Sequence, residues 1–489
     1  MTTLSEKKNL ILNDFKSPIG FQWHITTNCS NYCKHCYMYD EETYADERKN
    51  TLPLEGLIKI LDDLDSFEKK YNAKFTPFGI SGGDPMLRGD LFEFLAELKK
   101  RDKHFIIMGN PDLLNDQNLK KLVDSGLKNY QLSLDGLETT HDFFRSKGSF
   151  KRTIEKIKLI RKYGIGCNIM LSLYPSNASE LIPLMRFLAM NTEATSFSFD
   201  IGVMSGNANS MKNQFTAHDI HNLFTEYYLE KKRLKEEGYP IFFLEKSNFH
   251  KLINFENGLL YPMVPKNGNV LSGSYIGWNS LSILSDGTAL ACRKMPIKVG
   301  KMPEETFEKI FLGNTFLKKF RRPQNFKLCS TCDFYAMCRG CSAYVYGISK
   351  DPFEKHPLCF RNEILKKTNE KDNIQKGPSL DTTFREEWDY ISLHNQMSRL
   401  PTFLKEKDFQ YTYLDLTQNA KEFLANPLAY VKTSKRELNH DQISFLMQRF
   451  SDLHNTIRPN SNTTDPIADY IVGCILKDIS QTQKSLTEV

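Results

Sequence analysis

Long apolar runs are missing from this chain: none of its 489 residues lies in a stretch of eighteen or more apolar positions, so no segment has the length and hydropathy of a membrane-spanning helix. A secretory signal is missing too, because Met1 to Lys16 is polar and has no apolar core. These absences lead us to expect a cytoplasmic protein. An excess of one charge sign is also lacking, with 65 Lys and Arg against 59 Asp and Glu for a formal balance of +6. The two signs are interspersed, which describes a solvated surface and leaves no basic stripe for nucleic acid. Neither an internal repeat nor a low-complexity tract occurs. A mean hydropathy of -0.46 with 25% charged residues fits a soluble globular chain, long enough for two or three domains and a large core.

Cysteine is present and unevenly spread. Nine of the eleven fall into two groups, Cys29/Cys33/Cys36 and Cys292/Cys329/Cys332/Cys338/Cys341/Cys359, leaving Cys167 and Cys474 alone. Without a secretion signal, such grouping argues for metal ligation over disulfides. The first group, Cys29-Ser-Asn-Tyr-Cys33-Lys-His-Cys36, follows an apolar run from Phe21 to Thr26 that reads as a first strand. Thiolate-rich sites favour Zn²⁺ or iron–sulfur clusters, and a four-iron cluster held by three thiolates keeps one iron open to an exogenous ligand. Zinc would need a fourth ligand such as His24 or His35, and structural zinc sites usually add a distant second cysteine pair.

Residues 17 to 240 alternate strand-like and helix-like segments. Strands are expected at Gly20 to Thr26, Pro77 to Ser81, His104 to Gly109, Asn129 to Asp135, Gly166 to Leu173 and Ser196 to Val203. Between them lie helical periodicities at Leu54/Leu57/Ile58/Leu61/Leu64, Leu91 to Leu98, Leu119 to Val123, Ile154/Ile157/Ile160 and Leu181 to Ala189. Six β/α units with parallel strands predict an α/β fold, a partial (β/α)6 TIM-type barrel, with its chemistry at the strand C-termini. Two motifs fall there. Ile80-Ser-Gly-Gly-Asp-Pro85 turns sharply after the second strand, and Gln131-Leu-Ser-Leu-Asp-Gly-Leu-Glu ends the fourth, followed by His141-Asp-Phe-Phe-Arg145. Alternation in that fourth strand would point Ser133 and Asp135 into the barrel.

Taken together, these segments resemble the radical S-adenosylmethionine (SAM) enzymes that carry a C-terminal SPASM domain. The resemblance runs over about residues 20–362. In that family the open iron binds SAM, one electron cleaves it to a 5′-deoxyadenosyl radical, and the radical abstracts a substrate hydrogen. The resemblance implies that Cys29, Cys33 and Cys36 are the cluster ligands. It places His35 near the adenine and gives Gly82, Gly83 and Asp84 the SAM amino group, with Asp replacing the family's Glu. Ser133 and Arg145 would contact the SAM carboxylate and ribose, a guanidinium fork suiting a carboxylate. Asn168 and Ser172 are further candidate polar liners, and the loop Met204 to Asn213 is expected to contact substrate. No residue is assigned as catalytic.

In the second group, Ile283-Leu-Ser-Asp-Gly-Thr-Ala-Leu-Ala-Cys292 reads as a hairpin around Asp-Gly. It resembles the SPASM Gly-x4-Cys segment, with Gly287 and Cys292. Cys329-x2-Cys332-x5-Cys338-x2-Cys341 and Cys359 follow, the last spacing one residue short of the family's. The resemblance makes Cys329, Cys332, Cys338 and Cys359 the ligands of one auxiliary 4Fe–4S cluster. A second site at Cys292 and Cys341 stays open, because the family's further upstream cysteine has no counterpart between Leu271 and Trp278. Zinc is the alternative for these Cys-x2-Cys pairs taken alone.

We therefore expect an N-terminal tail over 1–19, a radical SAM partial barrel over 20–240, a bridge over 241–270 and a SPASM domain over 271–365. A linker over 366–383 and a helical C-terminal extension over 384–489 would follow. The extension shows apolar stripes at Phe384/Trp388/Ile391, from Ile443 to Leu453 behind an Asn439 cap, and after Asp465-Pro466, the last including Cys474. The expected cofactors are a 4Fe–4S cluster with SAM plus auxiliary clusters. The subgroup implies a maturase of a ribosomally made peptide, forming an oxidative thioether or carbon crosslink. Its partners would be the precursor peptide, a separate leader-recognition protein if the C-terminal helices do not bind the leader, and a low-potential donor such as flavodoxin or ferredoxin. Formylglycine formation as in anaerobic sulfatase maturases is the alternative, opposed by Arg293 where that group has an acid. Peptide epimerisation is opposed by the lack of a well-placed free thiol, and a zinc-stabilised binding protein by the arrival of Asp84, Ser133 and Arg145 together.

Overall fold

The computed structural model describes residues 17–39, 45, 47–211, 214–257, 273–332, 334–335, 337–361 and 379–398. The chain forms two compact units. One comprises 14–253 and 262–398; the other comprises 1–13, 254–261 and 399–489, of which only 254–257 are described. The expected helices beyond 398, and Cys474, lie outside the described residues.

The larger unit is an α/β structure built on one sheet. Strands β1 (Ser17–Thr26), β2 (Ala73–Gly82), β3 (Phe105–Met108), β4 (Asn129–Ser133), β5 (Gly166–Leu173) and β6 (Ser196–Ile201) follow in sequence order, each parallel to the next. Helices Leu54–Tyr71, Leu91–Lys100, Asp116–Asp124, Ser149–Lys162 and Leu181–Asn191 return the chain between them. This is the partial TIM-type barrel expected from the alternation. Leu57, Leu61 and Leu64 of the first helix are buried, as its apolar spacing requires. They cover a sheet whose Ile19, Phe21, Trp23, Phe75, Phe78 and Ile107 are also buried. The helix ends at Asn72 in the left-handed region, and Asn115 caps the third helix by accepting from the Asn118 N–H.

The barrel is not closed upon itself. A short β7 (Phe242–Phe243) pairs with β6 on one side, and on the other β8 (Ser280–Ile283) pairs parallel with β1. Strands β9 (Thr288–Cys292) and β10 (Met295–Lys301) then extend the sheet antiparallel, giving ten strands in the order β10-β9-β8-β1-β2-β3-β4-β5-β6-β7. The expected Asp-Gly hairpin is thus present as β8–β9, with Gly287 at φ +87°. A Cβ at Gly287 would meet the Met302 carbonyl at 1.9 Å.

Residues 379–398 lie along this unit. Within the helix Phe384–Ser398, Trp388 is buried against Phe67 and donates Nε1–H to the Tyr71 carbonyl at 2.9 Å. Glu387, fully buried, takes both Arg321 (2.8 Å) and Arg322 (2.6 Å), themselves buried. Before the helix, the carbonyls of Ser379 and Leu380 accept from Arg322 and Lys318. Among the described residues no helix is long and apolar enough to cross a membrane.

Candidate active site

The C-terminal ends of β1 to β6 surround one cavity with about 1400 Å³ of empty space, its mouth open to solvent. Each strand contributes to the wall: Thr27 after β1, Ser81 to Gly83 from β2, Met108 to Asn110 from β3, Gln131 and Ser133 from β4, Met170 and Ser172 from β5, and Asp200 from β6. The cysteine loop supplies Cys29, Cys33, His35 and Cys36, while Arg145, Arg293 and Lys294 add cations.

The cysteine loop is held by several independent contacts. Lys34 N–H donates to the Phe144 carbonyl (2.9 Å), Asn207 N–H to the Cys36 carbonyl (3.1 Å) and the Asn207 amide to the Cys33 carbonyl (3.2 Å). Gly206, at φ +56°, is needed there, since a Cβ would lie 2.6 Å from the carbonyls of Cys36 and Tyr37. The described part of the 204–213 loop, expected to contact substrate, therefore serves as a brace for the cysteine loop. Only Ile201 to Val203, just before it, reach the cavity wall. The sequence carried no sign of this, because the bracing runs through backbone carbonyls.

The three thiols suit a multi-iron cluster chemically. Burial pushes Cys33 up and Cys36 up to about 12, and a bound metal cation reverses that effect of burial. Two donors already face the sulfurs: Asn110 Nδ2 at 3.4 Å from Cys29 Sγ and Arg145 Nη1 at 3.9 Å from Cys33 Sγ. Among the described residues no three His, Cys, Asp or Glu side chains are gathered tightly enough to hold a single metal ion. His24, weighed as a zinc ligand, instead shares a hydrogen bond with the Tyr37 hydroxyl (3.1 Å).

The Gly-Gly-Asp turn is locked to the same loop. Gly83 N–H donates to the Thr26 carbonyl (2.9 Å) and Asp84 N–H to the Asn28 carbonyl (2.7 Å). A Cβ on Gly82 or Gly83 would lie 2.2 Å from the carbonyl oxygens of Thr26 and Asn28 respectively. Both glycines line the cavity, whereas Asp84 does not. Its carboxylate is fully buried. Oδ1 accepts from the Met86 N–H (3.2 Å), Oδ2 has no partner, and burial pushes the carboxyl up to about 6.

Ser133 and Arg145 line the cavity as expected; Asp135 does not. Strand β4 ends at Ser133 and the chain turns at Gly136 (φ +150°), which carries Asp135 behind the wall. From there it organises the wall: Oδ2 accepts from Arg145 Nε (2.6 Å) and lies 3.4 Å from His35 Nε2, while Oδ1 accepts from the Ser172 N–H (3.2 Å). Burial alone would raise the Asp135 carboxyl, but the Arg145 and His35 charges outweigh it and hold it well below the usual range. Burial lowers His35 against the opposing pull of Asp135, and its ring lies edge-on to Phe144 and Tyr174. Ser172 reaches the cavity, whereas the Asn168 carbonyl oxygen is occupied by Thr195 and Ser196. Cys167 is buried at the start of β5, away from the cavity end.

The second cysteine group resolves into two neighbourhoods. Cys329, Cys332, Cys338 and Cys359 lie within electrostatic reach of one another, as the mutual influence on Cys329 and Cys338 shows. Burial pushes Cys329 up to about 12. Cys341 instead feels Lys294, Asp200 and Cys292, which puts the Cys292/Cys341 pair beside the cavity wall. Residues 23–188 match the family model described as the Radical SAM superfamily, and residues 275–333 match SPASM, an iron–sulfur cluster-binding domain. The chain carries a radical SAM domain and a SPASM domain. It is 24% identical over 356 residues to the AdoMet-dependent heme synthase of Methanosarcina barkeri, covering 70% of this chain and 96% of that protein. It is 23% identical over 369 residues to the subtilosin biosynthesis protein AlbA of Bacillus subtilis, covering 72% of this chain and 73% of AlbA. Streptococcus suis SuiB bound to precursor peptide SuiA shares the fold at a TM-score of 0.57 and 18% identity, covering 73% of this chain and 78% of that chain.

A radical SAM domain uses a 4Fe–4S cluster and SAM, and a SPASM domain holds auxiliary iron–sulfur clusters, so the chain is an enzyme. Its SPASM hairpin does more than hold cysteines. Through Arg293 and Lys294 it forms part of the radical SAM cavity wall, and Lys294 is ion-paired with Asp200 at the end of β6. Sequence reasoning noted Arg293 only as the absence of an acid and did not single out Lys294 or Lys246. Their one available signal was position, two residues after Cys292 for Lys294 and just past a two-residue strand for Lys246.

Proposed function

We propose that this chain is a peptide maturase that oxidatively crosslinks a ribosomally made precursor, forming a thioether or carbon bond. The observation that carries the reading is the shared cavity. One wall belongs to the cysteine loop of the radical SAM domain and another to the SPASM hairpin beside Cys292 and Cys341. A substrate held there would lie between a hydrogen-abstracting site and an electron acceptor, as a net two-electron oxidation requires. The likeness to AlbA and to peptide-bound SuiB supports it. Bound SAM would supply the abstracting radical. In this reading Cys29, Cys33 and Cys36 hold the cluster. Gly82 and Gly83 receive the SAM amino group with the Asp84 charge buried behind their turn, Ser133 and Arg145 the carboxylate and ribose, and His35 flanks the adenine. Cys329, Cys332, Cys338 and Cys359 hold one auxiliary cluster, and Cys292 with Cys341 mark the second site. The radical SAM domain spans 20–240 and the SPASM domain 271–365. A flavodoxin- or ferredoxin-like donor supplies electrons, the C-terminal helices or a separate protein recognise the leader, and the protein works in the cytoplasm.

A second reading has one observation in its favour. The heme synthase of M. barkeri is matched over nearly its whole length, and a tetrapyrrole with acidic side chains would suit the cationic wall. Formylglycine formation fits less well, with Arg293 at the position of that group's acid. Anaerobic co-expression with the short reading frames beside the gene, followed by mass spectrometry, separates them. Loss of two hydrogens per site is expected for crosslinking. Unchanged peptides together with loss of carbon dioxide from a supplied carboxylated tetrapyrrole would overturn the peptide reading.

A further inference from the structure

Among the described residues four arginines are buried, Arg88, Arg321, Arg322 and Arg339. Three of them pair with a carboxylate: Arg88 with Asp90 (2.5 Å), and Arg321 and Arg322 with Glu387. Arg339, only 4% exposed, has no carboxylate partner among the described residues. Its guanidinium donates to backbone carbonyls, Nη1 to Tyr335 (3.3 Å) and Nη2 to Ser274 (3.1 Å), and lies over the rings of Tyr335 and Trp278. Carbonyls satisfy its N–H groups but do not neutralise a buried cation, which needs a counter-charge. The backbone gives a second sign. Arg339 has φ +69° and Gly340 +61°, a left-handed region that glycine enters without strain and arginine does not. The fold therefore keeps an arginine where glycine would fit more easily. That side chain sits within the cysteine turn. Tyr335, which accepts from it, lies between Cys332 and Cys338; Tyr335 N–H donates to the Cys332 carbonyl (2.8 Å) and Cys338 N–H to the Phe334 carbonyl (2.8 Å). A Cβ on Gly273 would stand 2.5 Å from the Cys338 carbonyl oxygen and 3.0 Å from Arg339 Cζ, so the guanidinium packs beside the Cys338 backbone. The groups around it able to carry negative charge are the thiols of Cys338 and Cys329 and the hydroxyls of Tyr335 and Tyr390. Burial pushes both hydroxyls up, which leaves the sulfurs.

We propose that Arg339 is the built-in counter-ion of the auxiliary cluster at Cys329, Cys332, Cys338 and Cys359, and that its charge holds the reduction potential of that cluster up. The inference rests on the ligand set proposed above. Thiolates around an iron–sulfur core leave a net negative charge, and that charge helps set the potential. A fixed cation in a buried site favours the more negative, reduced form. In the peptide reading an acceptor for the electron left after hydrogen abstraction needs this bias. Arg339 and Gly340 are also the only residues between Cys338 and Cys341, so the charge stands on the link that joins the two cysteine neighbourhoods.

The test is a potentiometric titration of reconstituted full-length protein, followed by electron paramagnetic resonance and run without peptide. The auxiliary signal is the one that Cys338→Ala removes, and iron analysis shows that each variant is loaded. In Arg339→Gln the midpoint of that signal should fall by about 59 mV, which is about tenfold less reduced cluster at a fixed potential. Arg339→Gly, whose backbone suits the turn, should fall with it, whereas Arg339→Lys should keep most of the wild-type value. If both neutral variants lack the auxiliary iron while Arg339→Lys retains it, the counter-charge is required for loading and the proposal stands. An unchanged midpoint in either neutral variant overturns it, as does an equal fall in Arg339→Lys. Loss of the auxiliary iron from all three variants overturns it too, because the shape of the guanidinium and not its charge would then be what matters. A midpoint that does not move while Cys338→Ala still removes the signal defeats the counter-ion alone. A Cys338→Ala protein that keeps every signal defeats the ligand set and the counter-ion with it.

Discussion

Replacing Asp84 by Asn should make the protein more stable and a poorer SAM binder. The carboxylate is fully buried with one oxygen unpartnered. A carboxyl that titrates at about 6 when folded and near its usual 3.8 when unfolded penalises the ionised folded state by about 3 kcal/mol at neutral pH. The folded state holds the proton more tightly, so this penalty is absent below the unfolded value. It grows as pH rises toward the folded value and is complete above it. Asparagine removes the charge but leaves an unpaired amide nitrogen, which costs about 1 kcal/mol. The net gain is therefore about 2 kcal/mol, visible as a melting midpoint a few degrees higher. Tryptophan fluorescence of SAM-free protein reads it, with Trp23 buried in β1 as a reporter. The wild type should gain on the variant as pH falls from about 7.5 to about 5.5. SAM affinity by equilibrium dialysis should drop with loss of the negative charge behind the Gly82–Gly83 turn, an effect through space and not through direct contact, since Asp84 lies outside the cavity wall. A lower midpoint for Asp84→Asn, or a stability gap that does not narrow on acidification, would refute the reasoning.

Gly83→Ala should abolish binding of the first cluster, because its Cβ would stand 2.2 Å from the Asn28 carbonyl and force the cysteine loop off β2; iron content and the absorbance of the reconstituted protein report it. Cys338→Ala should remove about four irons per chain while leaving SAM cleavage measurable, and loss of all iron would contradict the separation of the cysteine groups. Glu387→Gln leaves Arg321 and Arg322 buried without a counter-charge and should cost about 3 kcal/mol, read as a lower urea midpoint; a change below about 1 kcal/mol would show that water relieves the guanidinium groups.

Local patterns carried most of the barrel. Alternating apolar residues and helical spacing marked β1 to β6 and their helices because each element buries its own stripe. The motifs carried the cavity, since Gly82, Gly83, Ser133, Arg145 and the three cysteines sit at strand ends where the fold brings them together. Contacts across long separations were not legible. The pairing of β8 with β1 joins residues about 260 apart and leaves no periodic trace in either. Asp135 looked like a barrel liner because strict alternation was carried past Ser133, whereas the turn at Gly136 ended the register. Residues 379–383 read as linker from their polarity, yet they hold Lys318 and Arg322 through backbone carbonyls, which any sequence offers.

The β1–β8 ladder has a mechanical consequence. Strand β1 runs directly into the cysteine loop, and β8 leads through β9 into Cys292, so one row of backbone hydrogen bonds ties both cysteine neighbourhoods to a common ruler. In the proposed reading these are two cluster sites, and the separation between them is written into strand register instead of domain docking. A slip of one residue at Gly20↔Ser280 would turn over every side chain on β8 and displace Cys292 by a full strand step. Any motion that swings the two halves apart has to break that ladder.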